Sequence, residues 1–268
     1  MTEIILPSVF VSHGAPSLAI EKNDTVEFLR GLGARLARPS AILCVSAHWA
    51  TRAPTLSAAE RPETIHDFGG FPEELYRVRY EAPGAPHLAM RAAELLSASG
   101  IETEVSRERG LDHGAWVPLS LMYPEADVPV TQLSVQPLAG AGQHFLVGQA
   151  LAPLRREGVL ILATGGATHN LHQLGRGAQA PEWAARFDEW LDEKIRGGAY
   201  EELLDYRGLA PHAELAHPTD EHLLPLFVAA GAGDTREPGR GLHRGWTHGS
   251  LSMAAYAFGG DADKPDLS

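Results

Sequence analysis

The chain has 268 residues, a formal net charge of −12 from 22 basic and 34 acidic side chains, and one cysteine. The acidic balance argues against a nucleic-acid or anionic-membrane surface, and a lone Cys44, set in an apolar run, excludes an internal disulfide. A hydrophobic fraction of 44% in a chain of this length suffices for one large α/β domain, here assigned to residues 1–260 with an acidic tail at 261–268.

No apolar run reaches membrane-spanning length. The opening Met-Thr-Glu lacks the basic-then-apolar signal pattern, so the expected compartment is the cytoplasm. In chain order, Ile4–Ser12 reads as a first strand. Thr25 to Ala37 reads as a helix with apolar residues at helical spacing and Asp24 as N-cap. Ala41–Ala47 reads as a second strand, completing a β-α-β unit. Thr51 to Pro86 is too irregular for one element and too apolar for a linker, as expected of a lid or pocket wall. His87 to Gly100 reads as a helix, Glu102–Val105 as a short strand, and Arg109–Pro118 as a loop entering a short helix.

Pro129–Val135 alternates as a strand, Gln143 to Arg156 is an amphipathic helix, and Val159–Thr164 is a third apolar strand. Pro181 to Ile195 places Trp183, Phe187, Trp190, Leu191 and Ile195 on one helical face, a core pattern. Ala199 to Tyr206 is a further short helix, and Leu209 to His217 is irregular. Thr219 to Ala230 reads as a helix, with Pro218 at its start and Pro225 expected to kink it. Leu251–Phe258 is expected to form a final strand, and the end of the chain to fray.

Three apolar runs share one ending. Ser8–Ser12 leads to His13, Ala41–Ala47 leads to His48, and Val159–Gly165 leads to His169. Runs apolar on both faces suit central strands of a covered parallel sheet. Ligands of such sheets collect outside the carboxyl ends of the strands. The three imidazoles are therefore expected to converge, and imidazole is a common ligand for zinc and iron. A further ligand comes from Pro218-Thr219-Asp220-Glu221-His222. His222 and Glu221 compete for this place, since adjacent helical side chains diverge by about 100° and only one can face the site. A helix N-terminus disfavours imidazolium and keeps His222 free to bind metal. His113, with Asp112 as an anchor of its loop, is the remaining candidate.

Several motifs occur together and in order: Ser12-His13-Gly14-Ala15-Pro16, Ser46-Ala47-His48-Trp49, Thr64-Ile65-His66-Asp67-Phe68-Gly69-Gly70-Phe71-Pro72 and Asp112-His113-Gly114-Ala115-Trp116. Gly166-Ala167-Thr168-His169-Asn170-Leu171, His217-Pro218-Thr219-Asp220-Glu221-His222 and Gly249-Ser250-Leu251-Ser252-Met253 follow. The set spans nearly the whole chain and resembles the class III extradiol ring-cleavage dioxygenases of the LigB superfamily, in their 4,5-DOPA extradiol dioxygenase-like branch. The resemblance implies a single α/β domain with a mixed, mostly parallel central sheet flanked by helices. It also implies one mononuclear metal, Fe(II) or Zn(II), held by His13, His48 and His222. His169 would be the acid/base or an additional ligand, and His113 would bind substrate or oxygen.

The implied reaction is cleavage of a DOPA- or caffeate-like catechol by dioxygen to a muconic semialdehyde. The implied partners are a small aromatic diol and dioxygen, with no nucleic acid and no membrane; homo-oligomerisation is left open. The wider class pairs two histidines with a carboxylate, whereas this sequence has His222 at the third position. His66 stands where an aromatic residue is expected. A zinc hydrolase, or a non-catalytic metal-loaded binding protein of the same fold, is the alternative reading.

Overall fold

A computed structural model describes residues 5–175 and 179–260; the expected acidic tail at 261–268 lies outside the described residues. The strands are β1 (Ser8–Ser12), β2 (Ala41–Ala50), β3 (Thr55–Ser57), β4 (Glu104–Ser106), β5 (Val130–Val135), β6 (Val159–Gly165), β7 (Arg240–His243), β8 (Trp246–Thr247), β9 (Leu251–Ser252) and β10 (Ala255–Phe258). The helices are α1 (Asp24–Arg35), α2 (Pro86–Ala98), α3 (His113–Met122), α4 (Gly140–Leu151), α5 (Glu182–Arg196), α6 (Tyr200–Leu204), α7 (Tyr206–Leu209), α8 (Ala213–Ala216) and α9 (Leu224–Ala232).

Eight strands form one sheet in the order β4-β3-β5-β2-β6-β1-β10-β7. Its centre, β5-β2-β6-β1, is parallel, and β10 and β3 join it antiparallel on either side. The three histidine-ending runs are thus three adjacent central strands, as their two-sided apolarity requires. Alternate residues go to opposite faces. Val9, Val11, Ile42, Cys44, Leu160 and Leu162 pack with α1 and α3 on one side. Phe10, Leu43, Val45, Ile161 and Ala163 pack with α2, α4, α5 and α9 on the other. Among the described residues no helix is long and apolar enough to cross a membrane.

Several local expectations are corrected. Asn23, not Asp24, caps α1: its side chain accepts from Val26 N at 3.0 Å, while Asp24 sits in the first turn. The expected helix at 143–156 begins at Gly140 and stops at Leu151; a 3-10 turn over Ala152–Arg155 follows, with Pro153 in its first turn. The expected helix at 199–206 breaks at Asp205, and the stretch expected to be irregular contains α8. The expected helix at 219–230 starts only at Leu224. Pro225 therefore lies in its first turn, where a missing N–H costs nothing, and produces no kink. The expected strand at 251–258 is interrupted at Met253 and Ala254.

Within α5 the stripe is Ala184, Phe187, Asp188, Leu191 and Ile195, with Trp183 and Trp190 half-buried at its margins. Helices α4 and α9 pack closely because each carries a glycine at the crossing. A Cβ on Gly148 would lie 2.2 Å from the Val228 carbonyl oxygen, and one on Gly231 would lie 2.1 Å from that of Phe145. Gly142, on the same helix as Gly148, faces open space. Gly148→Ala is therefore expected to cost about 2 kcal/mol or more by overpacking. Gly142→Ala should stabilise by about 0.5–1 kcal/mol through helix propensity. Chemical denaturation of the pair checks this, and equal effects would contradict it.

Candidate metal centre

His13 follows the last residue of β1, His48 lies near the carboxyl end of β2, and His169 lies four residues beyond the end of β6. His113 is the first residue of α3, and His222 stands in the turn before α9. All five rings meet at the carboxyl edge of the sheet. Ring centroids are 4.9 Å apart for His13 and His48, 5.6 Å for His13 and His222, 4.9 Å for His48 and His222, and 3.9 Å for His48 and His113. His169 stacks on His222 at 3.3 Å, with the ring planes 5° apart. Potential ligand atoms fall into two separate groups, His13–His48–His113 and His169–Glu221–His222, each within 4.8 Å.

Backbone contacts make this convergence possible. Gly165 at the end of β6 lets the His222 carbonyl oxygen come within 2.1 Å of where a Cβ would stand, and Gly166 N donates to that oxygen at 2.9 Å. His13 N donates to Gly165 O at 3.0 Å, and His169 N donates to Ala216 O at 2.9 Å. Gly114 plays the same part for α3: a Cβ there would meet Ser46 Oγ at 2.5 Å and His48 Cδ2 at 2.9 Å.

Buried Asp112 anchors the start of α3, as expected. It accepts from Ala115 N and from Ser46 Oγ, and its other oxygen accepts from Gln132 Nε2 and Arg109. Ser12 Oγ accepts from Ala167 N and donates to Ala254 O. Thr168 Oγ1 donates to Ser250 O and accepts from Ser252 N, which is how the closing Gly-Ser-Leu-Ser-Met motif holds the loop carrying His169. His217 serves the scaffold: its Nε2 donates to Ala167 O at 3.0 Å.

The ring nitrogens have an ordered arrangement. Each of three rings turns Nδ1 toward an oxygen acceptor: His13 to Gly14 O at 2.8 Å, His48 to Asp67 Oδ2 at 3.5 Å and His222 to Glu221 Oε1 at 3.1 Å. The proton therefore belongs on Nδ1, and the lone pair of Nε2 faces inward. His48 Nε2 and His222 Nε2 stand 3.3 Å apart, and His13 Nε2 is buried with no hydrogen-bond partner among the described residues. Converging ring nitrogens, that of His13 without any partner, fit a cation such as Zn(II) or Fe(II), which takes neutral imidazoles as ligands.

Asp67 and the carbonyl of Gly14 escaped the sequence reading, because a carboxylate in an irregular segment carries no periodic signal. Asp67 accepts from His113 N and from His113 Nδ1, both at 2.9 Å. The helical argument for a rivalry between Glu221 and His222 does not apply, because the pair precedes the helix; Glu221 instead lies beside His222 Nδ1, in one group with His169 and His222. His222 likewise does not sit within the first turns of a helix. His66 joins an aromatic wall, with Phe68 at 5.6 Å and Trp116 at 5.8 Å; Phe68 meets His113 edge-on at 5.7 Å. Trp116 Nε1 donates to Ile65 O at 2.9 Å, tying this segment to α3.

Burial holds His13, His48, His169 and His222 neutral, and the like charges the rings would carry add to the effect. His48 is brought down to about 4 by burial, then by His113, against the pull of Asp112 and Asp67. Burial, with His113 second, brings His169 to about 4. His13 and His222 are pushed well below the usual histidine value, burial being the main cause and neighbouring histidines the next. Burial alone would raise Asp67, but its hydrogen bond from His113 and the nearby histidine charges bring it to about 2.

Between the ordinary histidine value of about 6.5 and about 4, the unfolded chain binds protons that the native cluster refuses. Native stability and metal affinity are therefore expected to fall as pH drops from about 6.5 toward 4. The Asp67 contribution is lost at lower pH, as the medium passes below the ordinary aspartate value toward about 2. Denaturation of the metal-free protein across this range checks the sign; constant stability between pH 6.5 and 4 would contradict it.

Comparison with known proteins gives the family of the chain. The profile of the family described as the catalytic LigB subunit of aromatic ring-opening dioxygenase matches residues 7–259. A Beta vulgaris protein named 4,5-DOPA dioxygenase extradiol is 45% identical over 260 residues, covering 95% of this chain and 97% of that one. Proteins of the same name from Portulaca grandiflora and Escherichia coli K12 are 46% and 41% identical, the former over 94% of this chain and 95% of its own, the latter over 97% of each. The crystal structure of an uncharacterised Escherichia coli K12 protein superposes with a TM-score of 0.80 at 36% identity, covering 95% of this chain and all of that one. The chain belongs to the LigB family and is an aromatic ring-opening dioxygenase of the extradiol kind.

Proposed function

We propose that the cluster holds one mononuclear Fe(II), with Zn(II) as a competing occupant, through His13, His48 and His222. We further propose that the enzyme opens the ring of a catechol such as DOPA or caffeate to a muconic semialdehyde. The carrying observation is the inward set of Nε2 atoms, each with its Nδ1 turned to an acceptor, together with the orphaned His13 Nε2. The names of the relatives, 4,5-DOPA dioxygenase extradiol, support a DOPA-like substrate. An acidic chain with a single buried cysteine fits the cytoplasm.

When bound, Fe(II) supplies Lewis acidity toward the two catechol oxygens and the redox chemistry that dioxygen needs. Three neutral imidazoles would leave its positive charge uncompensated, which would favour an anionic catecholate over a neutral catechol. His169, stacked beside His222 and held neutral, accepts a proton from a catechol hydroxyl. His113 commits Nδ1 to Asp67 and offers Nε2 to a substrate oxygen. The edge of Phe68, backed by Phe71 and Tyr76, walls the ring-binding side and limits access of water. Across the whole reaction one ring carbon–carbon bond breaks, and the two oxygen atoms of O2 enter the product.

The test is anaerobic loading with Fe(II), followed by air and DOPA or caffeate. Oxygen consumption and a yellow product absorbing to the red of the substrate are expected. Catechol turned over without oxygen uptake, or no turnover by iron-loaded protein, would contradict the reading. His169→Ala should retain metal and lose about a hundredfold or more in turnover, whereas His48→Ala should lose the metal, as elemental analysis would show. Metal-free His169→Ala protein would make His169 a ligand instead.

A further inference from the structure

We propose that Asp67 is the positioning residue of this centre: its single carboxylate fixes the tautomers of His48 and His113 together. This inference rests on the metal reading above. The geometry is that of a two-sided clamp. Oδ1 accepts from both the backbone N–H and Nδ1 of His113, each at 2.9 Å, and Oδ2 faces His48 Nδ1 at 3.5 Å. The carboxylate thereby holds a proton on Nδ1 of His113 by a hydrogen bond and favours one on Nδ1 of His48 by its charge, on the side away from His222. A carboxylate suits this task because both of its oxygens only accept.

Asp67 does not come from a strand end. It belongs to the irregular segment that also carries Phe68 and Phe71, and that segment is held to α3 by the bond from Trp116 Nε1 to Ile65 O. Phe68, next in sequence, packs edge-on against His113. The residue that orients a ligand nitrogen and the ring that walls the substrate side are therefore adjacent in one segment. Displacing the segment removes both.

The clamp makes an unusual prediction for substitution. In Asp67→Asn the backbone N–H of His113 is a donor that cannot change, so the amide oxygen must take the Oδ1 place. The amide NH2 then faces His48 Nδ1, where it selects the tautomer with Nδ1 bare and the proton on the metal-facing Nε2. In Asp67→Ala nothing opposes the productive tautomer; only its support is lost. The isosteric change should therefore harm metal binding more than the truncation.

The experiment is Co(II) titration of metal-free wild type, Asp67→Ala and Asp67→Asn. It follows the visible absorption of the bound ion, with thermal melts of the metal-free proteins to confirm folding. Loss of one supporting partner is expected to weaken Co(II) binding by about tenfold to a hundredfold in Asp67→Ala, and Asp67→Asn should bind more weakly still. Asp67→Asn binding as well as or better than Asp67→Ala would overturn the proposal, since a merely space-filling role predicts that order. Should Asp67→Ala fail to fold, Asp67→Asn binding within about threefold of wild type overturns it, and binding weakened by about tenfold or more supports it. Wild type that takes up no Co(II) overturns the metal reading itself, and the proposal with it.

Discussion

Five imidazoles packed at one sheet edge create an electrostatic problem that dominates the local structure. Protonation of any one would place a buried charge beside four others able to carry the same sign, so burial and mutual repulsion hold His13, His48, His169 and His222 neutral. Neutral rings still have to dispose of their lone pairs. Oxygen acceptors on the outside of the cluster draw the Nδ1 protons outward, and the inward nitrogens crowd together, those of His48 and His222 3.3 Å apart and that of His13 without a partner. Without a positive charge between them such an arrangement is unfavourable; with one it becomes a set of ligands. The cluster is best understood as a cation-shaped defect at the carboxyl edge of the sheet.

The scaffold is arranged to hold that defect open. Adjacent parallel strands end together and deliver histidines from distant parts of the chain, as open α/β sheets commonly do for their ligands. Close backbone approach does the rest. Gly165 admits the His222 carbonyl, Gly114 admits the Ser46 and His48 side chains, and the resulting hydrogen bonds fix loops that would otherwise be free to drift. Beneath them buried Asp112 is satisfied by several partners at once, Ser46, Gln132 and Arg109 among them. That satisfaction gives the ligands a rigid base.

The central strands and the histidines at their ends were legible in the sequence because both signals are periodic or local: two-sided apolarity for the strands, and a small residue before an imidazole for the site. Strand β3 and the edge strand β7 were not, being short and weakly patterned. The start of α9 was misplaced because Pro218 followed by Thr219, Asp220 and Glu221 resembles a helical first turn, whereas Pro225 marks the true one. Asp67 was invisible as a functional residue, since its role depends on two histidines 19 and 46 residues away that only the fold brings to it. Glu221 was seen as a competitor of His222, whereas its place outside any helix lets it act as the acceptor for His222 Nδ1.

The most direct test of the central claim is X-ray absorption spectroscopy at the metal edge of the Zn(II)- or Fe(II)-loaded protein. The account predicts one ion per chain with a first shell of nitrogen and oxygen, the multiple-scattering pattern of about three imidazoles, and for zinc metal–nitrogen distances of about 2.0–2.1 Å. A sulfur shell, or a spectrum of a hydrated ion with no imidazole scattering, would contradict it.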